Sequence, residues 1–317
     1  MSAEAVEAAA LWGARDLRPI TERENAVYAI TLPEGRPAAL RLHRRGYQEP
    51  SAIRSELWWC AALAAAGAPV PAPLPALSGE LLQQLSGGRL VSVIDWVEGE
   101  AIGAAALPLA GTMAAKEALM AGVGRLIATC HQATDGLSLP QGFTRPSWDA
   151  EGLAGENPLW GRFTDHPLLT SADRDILHKS QAVVFERAKS AQISGDYGLI
   201  HADVLRENVL SGPKGYSLID FDDSGFGLRA YDPGTLLSQS LSEPGLPDLV
   251  QALCEGYRAV RVLDADLLPV MTLARCCASV GWVMTRLPME HPVQKSHIAR
   301  AVGFARKVLD GKEDPWA

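Results

Sequence analysis

Leu199-Ile200-His201-Ala202-Asp203-Val204-Leu205-Arg206-Glu207-Asn208-Val209-Leu210, followed by Leu218-Ile219-Asp220-Phe221-Asp222-Asp223, is the most informative stretch of this chain. It reads as an apolar strand, a loop holding His-x-Asp with an Asn five positions after the Asp, and a second apolar strand. A turn at Gly212-Pro213-Lys214-Gly215 then leads to a strand ending in an acid twelve positions after the Asn. The set suits phosphoryl transfer. An Asp on a rigid loop can orient and deprotonate an attacking hydroxyl, while an Asn and a second Asp joined by a hairpin can hold Mg²⁺ against the phosphates of ATP. Such a reaction asks a protein for positioning and charge neutralisation rather than covalent chemistry. His and Asp also sit in ordinary turns, and an Asp after a strand often caps the next helix. The whole ordered set, flanked by apolar strands, outweighs that reading.

Around this stretch lie 317 residues, enough for about two domains or lobes, with 47% apolar and 21% charged residues. A formal net charge of −8 argues against nucleic acid as the main partner, because phosphate backbones need a clustered cationic surface. Cys60, Cys130, Cys254, Cys276 and Cys277 form no C-x-x-C pair and read as buried, reduced thiols. The acidic start Met1-Ser2-Ala3-Glu4-Ala5-Val6-Glu7 lacks a basic n-region and a long apolar h-region, and no apolar run reaches bilayer length. The expected location is the cytoplasm, with no membrane partner.

Residues 1–18 predict a helix, 25–30 and 37–42 two strands, and 33–35 the turn between them. Ser51 predicts the N-cap of a helix running to Ala66, ended by Gly67 and Pro69. The Pro-rich 69–75 reads as a rigid extended spacer, and 81–85 with 90–96 as a hairpin turning at Gly87-Gly88. From about residue 108 the chain is mostly helical: 114–131 and 171–191, then, after the hairpin at 198–223, 232–242, 246–261, 265–286 and 292–310.

Residues 201–208 and 219–232 resemble the aminoglycoside phosphotransferase and choline kinase superfamily, which shares the protein-kinase-like fold. Within it the chain looks similar to bacterial type II homoserine kinases and stress-response kinases. The resemblance implies an α+β, two-lobed fold: a small lobe over 1–97 with a five-stranded antiparallel sheet and one main helix, and a mostly helical large lobe over 98–317. ATP and Mg²⁺ would bind in the cleft between them. Asp203 matches the catalytic Asp, and Asn208 and Asp220 the Mg²⁺ ligands. Arg41 falls where the family places a strand cation on the α- and β-phosphates, and Glu56 matches its partner. Asp95, Trp96 and Val97 match the hinge, whose backbone would meet the adenine edge. The loop over the phosphates would be 21–25, without glycines, with Asn25 a candidate contact. Asp232 matches an Asp that caps a helix and braces the catalytic loop; His201 and His131 read as structural.

Two positions depart from the pattern. The usual Gly between His and Asp is Ala202, which fits unless that position needs φ > 0. The cation expected two after the Asp is Leu205, with Arg206 one later, either facing the phosphoryl group or pairing with Glu207 in solvent. Asp222 and Asp223 read as an acidic cluster or a solvated turn. Trp148, Trp160, Arg162 and Phe163 read as core packing ahead of a substrate pocket. No G-x-x-x-x-G-K-[ST] is present, which excludes a P-loop. The implied function is ATP-dependent phosphorylation of a hydroxyl on a small, amine-bearing molecule, homoserine-like amino alcohols first. An aminoglycoside-modifying enzyme, a stress-response Ser/Thr protein kinase and a non-catalytic nucleotide-binding pseudokinase are the alternatives. The acceptor's identity, ATP against GTP, and the oligomeric state are not legible.

Overall fold

The computed structural model describes residues 2–22, 25–311 and 314–317. They divide into two compact units, one of residues 1–100, 136–145 and 210–222, the other of 101–135, 146–209 and 223–317. The whole is α+β.

The first unit opens with α1 (Ala3–Leu11), capped by the Ser2 hydroxyl accepting from the Ala5 N–H. The helix stops well short of residue 18. Gly13 and Asp16 adopt left-handed φ values of 63° and 55°, and the chain resumes as a strand, β1 (Arg15–Glu22). β2 (Ala26–Thr31) and β3 (Pro37–Leu42) follow. α2 (Pro50–Ala65) begins at Pro50 rather than behind Ser51, because proline's fixed φ and missing N–H suit the first helical turn; its N-cap residue is Glu49. β4 (Pro73–Leu74), β5 (Leu82–Gln84) and β6 (Leu90–Asp95) complete one antiparallel sheet of six strands. Its order is β1-β2-β3-β6-β4, with β5 also on β6. The sheet exceeds the expected five strands: β1 forms where the helix was expected to continue, and part of the Pro-rich segment joins as β4, next to Ile94 and Val93.

Strand alternation places Arg41. Ala38, Leu40 and Leu42 turn to the face covered by Ala5, Ala8 and Ala9 of α1 and by Trp12 just after it, so Arg41 between them faces the opposite side. On α2, Ile53 and Leu57 pack with Leu82, and Glu56 shares their side of the helix.

β7 (Glu100–Ala101) leads into α3 (Met113–Asp135), β8 (Ser147–Trp148), α4 (Ala150–Ala154), α5 (Ser171–Ser194) and β9 (Tyr197–Ile200). The hairpin β10 (Val209–Gly212) and β11 (Gly215–Leu218) belongs to the first unit from Leu210 on. β12 (Gly225–Leu228), α6 (Tyr231–Ser238), α7 (Leu246–Arg258), α8 (Leu268–Arg286) and α9 (Val293–Asp310) finish the second unit. There β12 runs antiparallel to β9 and parallel to β8. α6 and α8 touch at Gly234, where a Cβ would come within 2.9 Å of the Thr272 nitrogen. Only glycine permits that approach. Residues 265–286 are long and apolar enough to cross a membrane, which the sequence reading overlooked, yet 83% of that window is buried inside the protein. All five cysteines are buried thiols.

Candidate active site

The candidate residues gather in two groups, one in each unit. In the first unit Arg41, 7% exposed, donates from Nη1 to Glu56 Oε1 at 2.9 Å and from Nη2 to Asp220 Oδ1 at 2.8 Å. Burial works against the Arg41 charge, but the carboxylates of Asp220, Glu56 and Asp222 outweigh it and hold its pKa above the ordinary value. Burial likewise drives the Glu56 carboxyl up to about 7 against the pull of Arg41. Asp220 keeps a half-exposed side chain and a left-handed φ of 65°, a conformation that Asp tolerates better than most residues.

Asp222 is buried rather than a solvated turn. Its Oδ2 accepts from Asn25 Nδ2 at 2.9 Å, and its carbonyl takes a hydrogen bond from Arg145. The expected 21–25 loop begins as strand, since Thr21 and Glu22 belong to β1; at its end Asn25 Oδ1 accepts from the Arg44 N–H and ties the segment to the acidic turn. Arg23 and Glu24 of that loop lie outside the described residues. At the expected hinge Asp95 pairs with Arg36, and its N–H donates to the Ala72 carbonyl. Trp96 is exposed and lines a hollow of about 260 Å³ with Ala29, Thr31 and Pro37; Val97, next along, is half-buried.

In the second unit β9 delivers the chain to His201, whose Nδ1 accepts from the Asp203 N–H. Asp232 fixes this loop. Its carboxylate accepts from the N–H groups of His201 (2.8 Å) and Ala202 (2.7 Å) and from His131 Nε2 (2.9 Å). The expected helix cap is absent, because α6 begins one residue earlier with Ala230 at the N-cap. Since a carboxylate only accepts, His131 donates from Nε2 and accepts a hydrogen bond from the Tyr257 hydroxyl on Nδ1. Asn208 Nδ2 donates to both Oδ2 (3.0 Å) and the carbonyl (2.9 Å) of Asp203, leaving its own Oδ1 as the remaining polar atom.

Ala202 stands at φ 64°, so the position does call for the left-handed region. An L-residue there carries roughly 1–2 kcal/mol of strain, and the Ala202 methyl is fully buried. Ala202→Gly is therefore expected to stay within about 1 kcal/mol of the parent, relieved strain offsetting lost burial and added chain entropy. Ala202→Val, β-branched in a space already filled, should cost about 3 kcal/mol. Denaturant midpoints of the two variants decide; equal losses would contradict the strain.

Arg206 adopts neither of its two expected roles. It is 1% exposed and donates to Leu107 O (2.8 Å), Ser240 Oγ (3.0 Å) and Glu243 Oε1 (2.9 Å). Glu207 accepts from Gln239 instead, and Glu243 also receives the Lys116 ammonium at 2.9 Å. Sequence reasoning missed Glu243. Burial opposes its charge, but donors from Lys116, Leu109 and Arg206 win and lower its pKa. Glu243→Gln leaves two cations without a counter-charge. We expect a loss of about 3 kcal/mol, read as a lower denaturant midpoint at unchanged slope. An unmoved midpoint would show that the network does not support the fold.

Trp148, Trp160 and Phe163 are core residues, Trp148 packing edge-on to Trp160 at 4.9 Å and stacking on Tyr231. Arg162 is half-exposed and paired with Asp165. A larger hollow of about 760 Å³ beside Glu151, Glu156 and Gln181 contains none of the candidate catalytic, nucleotide or metal residues. Arg275 of α8 reaches Asp203 Oδ1 at 2.6 Å. The one sequence signal for it was a charge in the middle of an apolar helix, since a buried charge needs a partner.

Comparison with known proteins bears on the family and the fold. A homoserine kinase of Agrobacterium fabrum is 28% identical over 229 residues, 71% of this chain and 65% of its own length. The chain thus spans just under two thirds of that relative. The microcompartment-associated aminopropanol kinase is 28% identical, covers 98% of both chains and superposes with a TM-score of 0.83. The amicoumacin kinase hAmiN, solved with AMP-PNP, Ca²⁺ and Ami, covers 98% of this chain and 94% of its own at a TM-score of 0.77 and 20% identity, a likeness of fold. The fold is protein-kinase-like. The model of the phosphotransferase enzyme family matches residues 16–267, which takes in Arg41, Glu56, Asp203, Asn208 and Asp220, and the chain belongs to that family.

Proposed function

We propose that this protein transfers the γ-phosphate of ATP to a hydroxyl of a small, amine-bearing alcohol. The observation that carries the reading is the state of Asp203. Its side chain is 17% exposed on a loop fixed at both ends, by Asp232 through two N–H groups and by Asn208 through the carboxylate itself. A carboxylate held that way can accept the proton of an incoming hydroxyl and aim its oxygen. Arg41, kept charged by Glu56 and Asp220, is the cation for the α- and β-phosphates. The backbone at Asp95, Trp96 and Val97 is assigned to the adenine edge.

Asn208 and Asp220 are the assigned metal ligands, and their chemistry fits a hard divalent ion. Each offers oxygen, one from an amide and one from a half-exposed carboxylate. Among the described residues no group of three or more His, Cys, Asp or Glu side chains could hold a metal by itself. Two protein oxygens plus substrate phosphates is the manner in which Mg²⁺ is commonly held. When bound, the ion would neutralise phosphate charge. The hAmiN complex with AMP-PNP and Ca²⁺ supports nucleotide and divalent metal together.

Homoserine and aminopropanol, named for two relatives, are both amino alcohols, which supports that acceptor class. The test is ADP release from Mg·ATP against homoserine, aminopropanol, choline, ethanolamine, aminoglycosides, sugars and a generic protein. One strong amino-alcohol hit, lost in Asp203→Asn, is the expected result. Transfer to the protein alone, or to no acceptor, would overturn the reading.

A further inference from the structure

Both carboxylate oxygens of Asp203 are engaged, each by a different donor: Oδ2 by Asn208 and Oδ1 by Arg275. Two donors on separate oxygens lock the rotation of a carboxylate about its Cβ–Cγ bond. One donor alone would leave it free to swing. The chain's neighbouring cation cannot supply the second contact, because Arg206 is turned into the network with Glu243, and position 205 is leucine.

We infer that Arg275 is the positioning residue of Asp203, orienting its carboxylate for the incoming hydroxyl; this rests on the phosphotransfer reading above. Arg275 is itself held. It is 5% exposed, its guanidinium lies 4.5 Å from the centre of the Trp160 ring, and its Nη1 reaches toward the Ala202 carbonyl at 3.5 Å. Trp160 is braced edge-on by Trp148. The close approach of α6 and α8 at Gly234 brings this part of α8 to the catalytic loop, since Arg275 follows Met271 and Thr272 by about one turn. A guanidinium does not give up its proton, so Arg275 takes no part in proton transfer. Its planar fork stacks on the indole and meets the carboxylate edge, which a lysine ammonium cannot reproduce.

The test uses the full chain with ATP and the acceptor found above, in Arg275→Gln, Arg275→Lys, Trp160→Leu, Asp203→Asn and the Arg275→Gln/Asp203→Asn double variant. Arg275→Gln is expected to lower kcat about 10²-fold, the scale of a slightly misplaced reacting group, with KM for ATP within about twofold. Arg275→Lys should recover at least about tenfold of that loss. The Arg275→Gln effect should vanish in the Asp203→Asn background, because a residue acting through a carboxylate has nothing left to position. A purely structural residue would lower activity in both backgrounds alike and raise KM with it. Should Arg275→Gln fail to fold, Arg275→Lys and Trp160→Leu decide, each expected to lower kcat roughly 3- to 10-fold. Wild-type kcat in both, or additive losses in the double variant, would overturn the inference while leaving the phosphotransfer reading intact. A wild-type protein that phosphorylates nothing would overturn both.

Discussion

Asp203→Asn is expected to reduce phosphate transfer by about 10²–10⁴-fold, the range supplied by a positioned general base, while nucleotide binding stays within about twofold. The substitution keeps shape and removes the proton acceptor. It also disturbs the local hydrogen bonds in a definable way. Asp203 accepts from Arg275 on one oxygen and from Asn208 on the other, so an amide there must point its NH₂ at one of two donors. That conflict should lower stability by roughly 1–3 kcal/mol, and the variant is therefore assayed well below its melting temperature. Turnover is read by coupled ADP release and binding by titration with a fluorescent ATP analogue. Wild-type turnover in Asp203→Asn would remove the base from the mechanism.

Asp232→Ala carries the largest expected effect on the fold. The Asp232 carboxylate is 1% exposed and answers three donors: the backbone N–H groups of His201 and Ala202, and His131. Removing it leaves all three buried without an acceptor, and about 3–5 kcal/mol of stability should be lost. Burial alone would raise the Asp232 pKa, but the hydrogen bond and proximity of His131 and the contacts at His201 lower it. Its contribution is therefore present above the usual carboxylate range and disappears as pH falls through the depressed value. His131 adds an earlier acid effect. Burial and then Arg229 push its pKa from 6.5 down to about 4, with Asp232 opposing. The unfolded chain takes up that proton near 6.5 and the folded one only near 4, so stability declines as pH drops between those values. His43, buried beside Ser92 and shifted to about 3, acts in the same direction. Denaturant unfolding at pH 7 and pH 5 should show the fall, with a slope of up to about 1.4 kcal/mol per pH unit for each histidine. Stability that is flat from pH 7 to pH 5 would contradict neutral, buried imidazoles.

Much of this protein was legible residue by residue. The apolar alternation of 25–30 and 37–42, the long helical periods after residue 108 and the His-x-Asp…Asn…Asp spacing are local patterns. Local patterns survive because side-chain period and turn chemistry are set by near neighbours along the chain. The first helix was read too long for the same reason: alanine-rich sequence favours helix locally, and the sheet claimed residues 15–22 by pairing with β2.

The amino-acid sequence by itself determined the His201–Asn208 loop, the strand carrying Arg41, the helix carrying Glu56 and the family to which the chain belongs. Only the tertiary structure decided who partners whom: Arg206 with Glu243, Asn25 with Asp222, Asp203 with Arg275, and Ala202 in a left-handed conformation. Asn25 lies 197 positions from Asp222, and Arg275 lies 72 from Asp203. Such contacts follow from helix crossings and sheet faces that no short window of sequence encodes. A buried charge announces only that it needs a partner, and the packing of α6 against α8 is what selects Asp203 for Arg275.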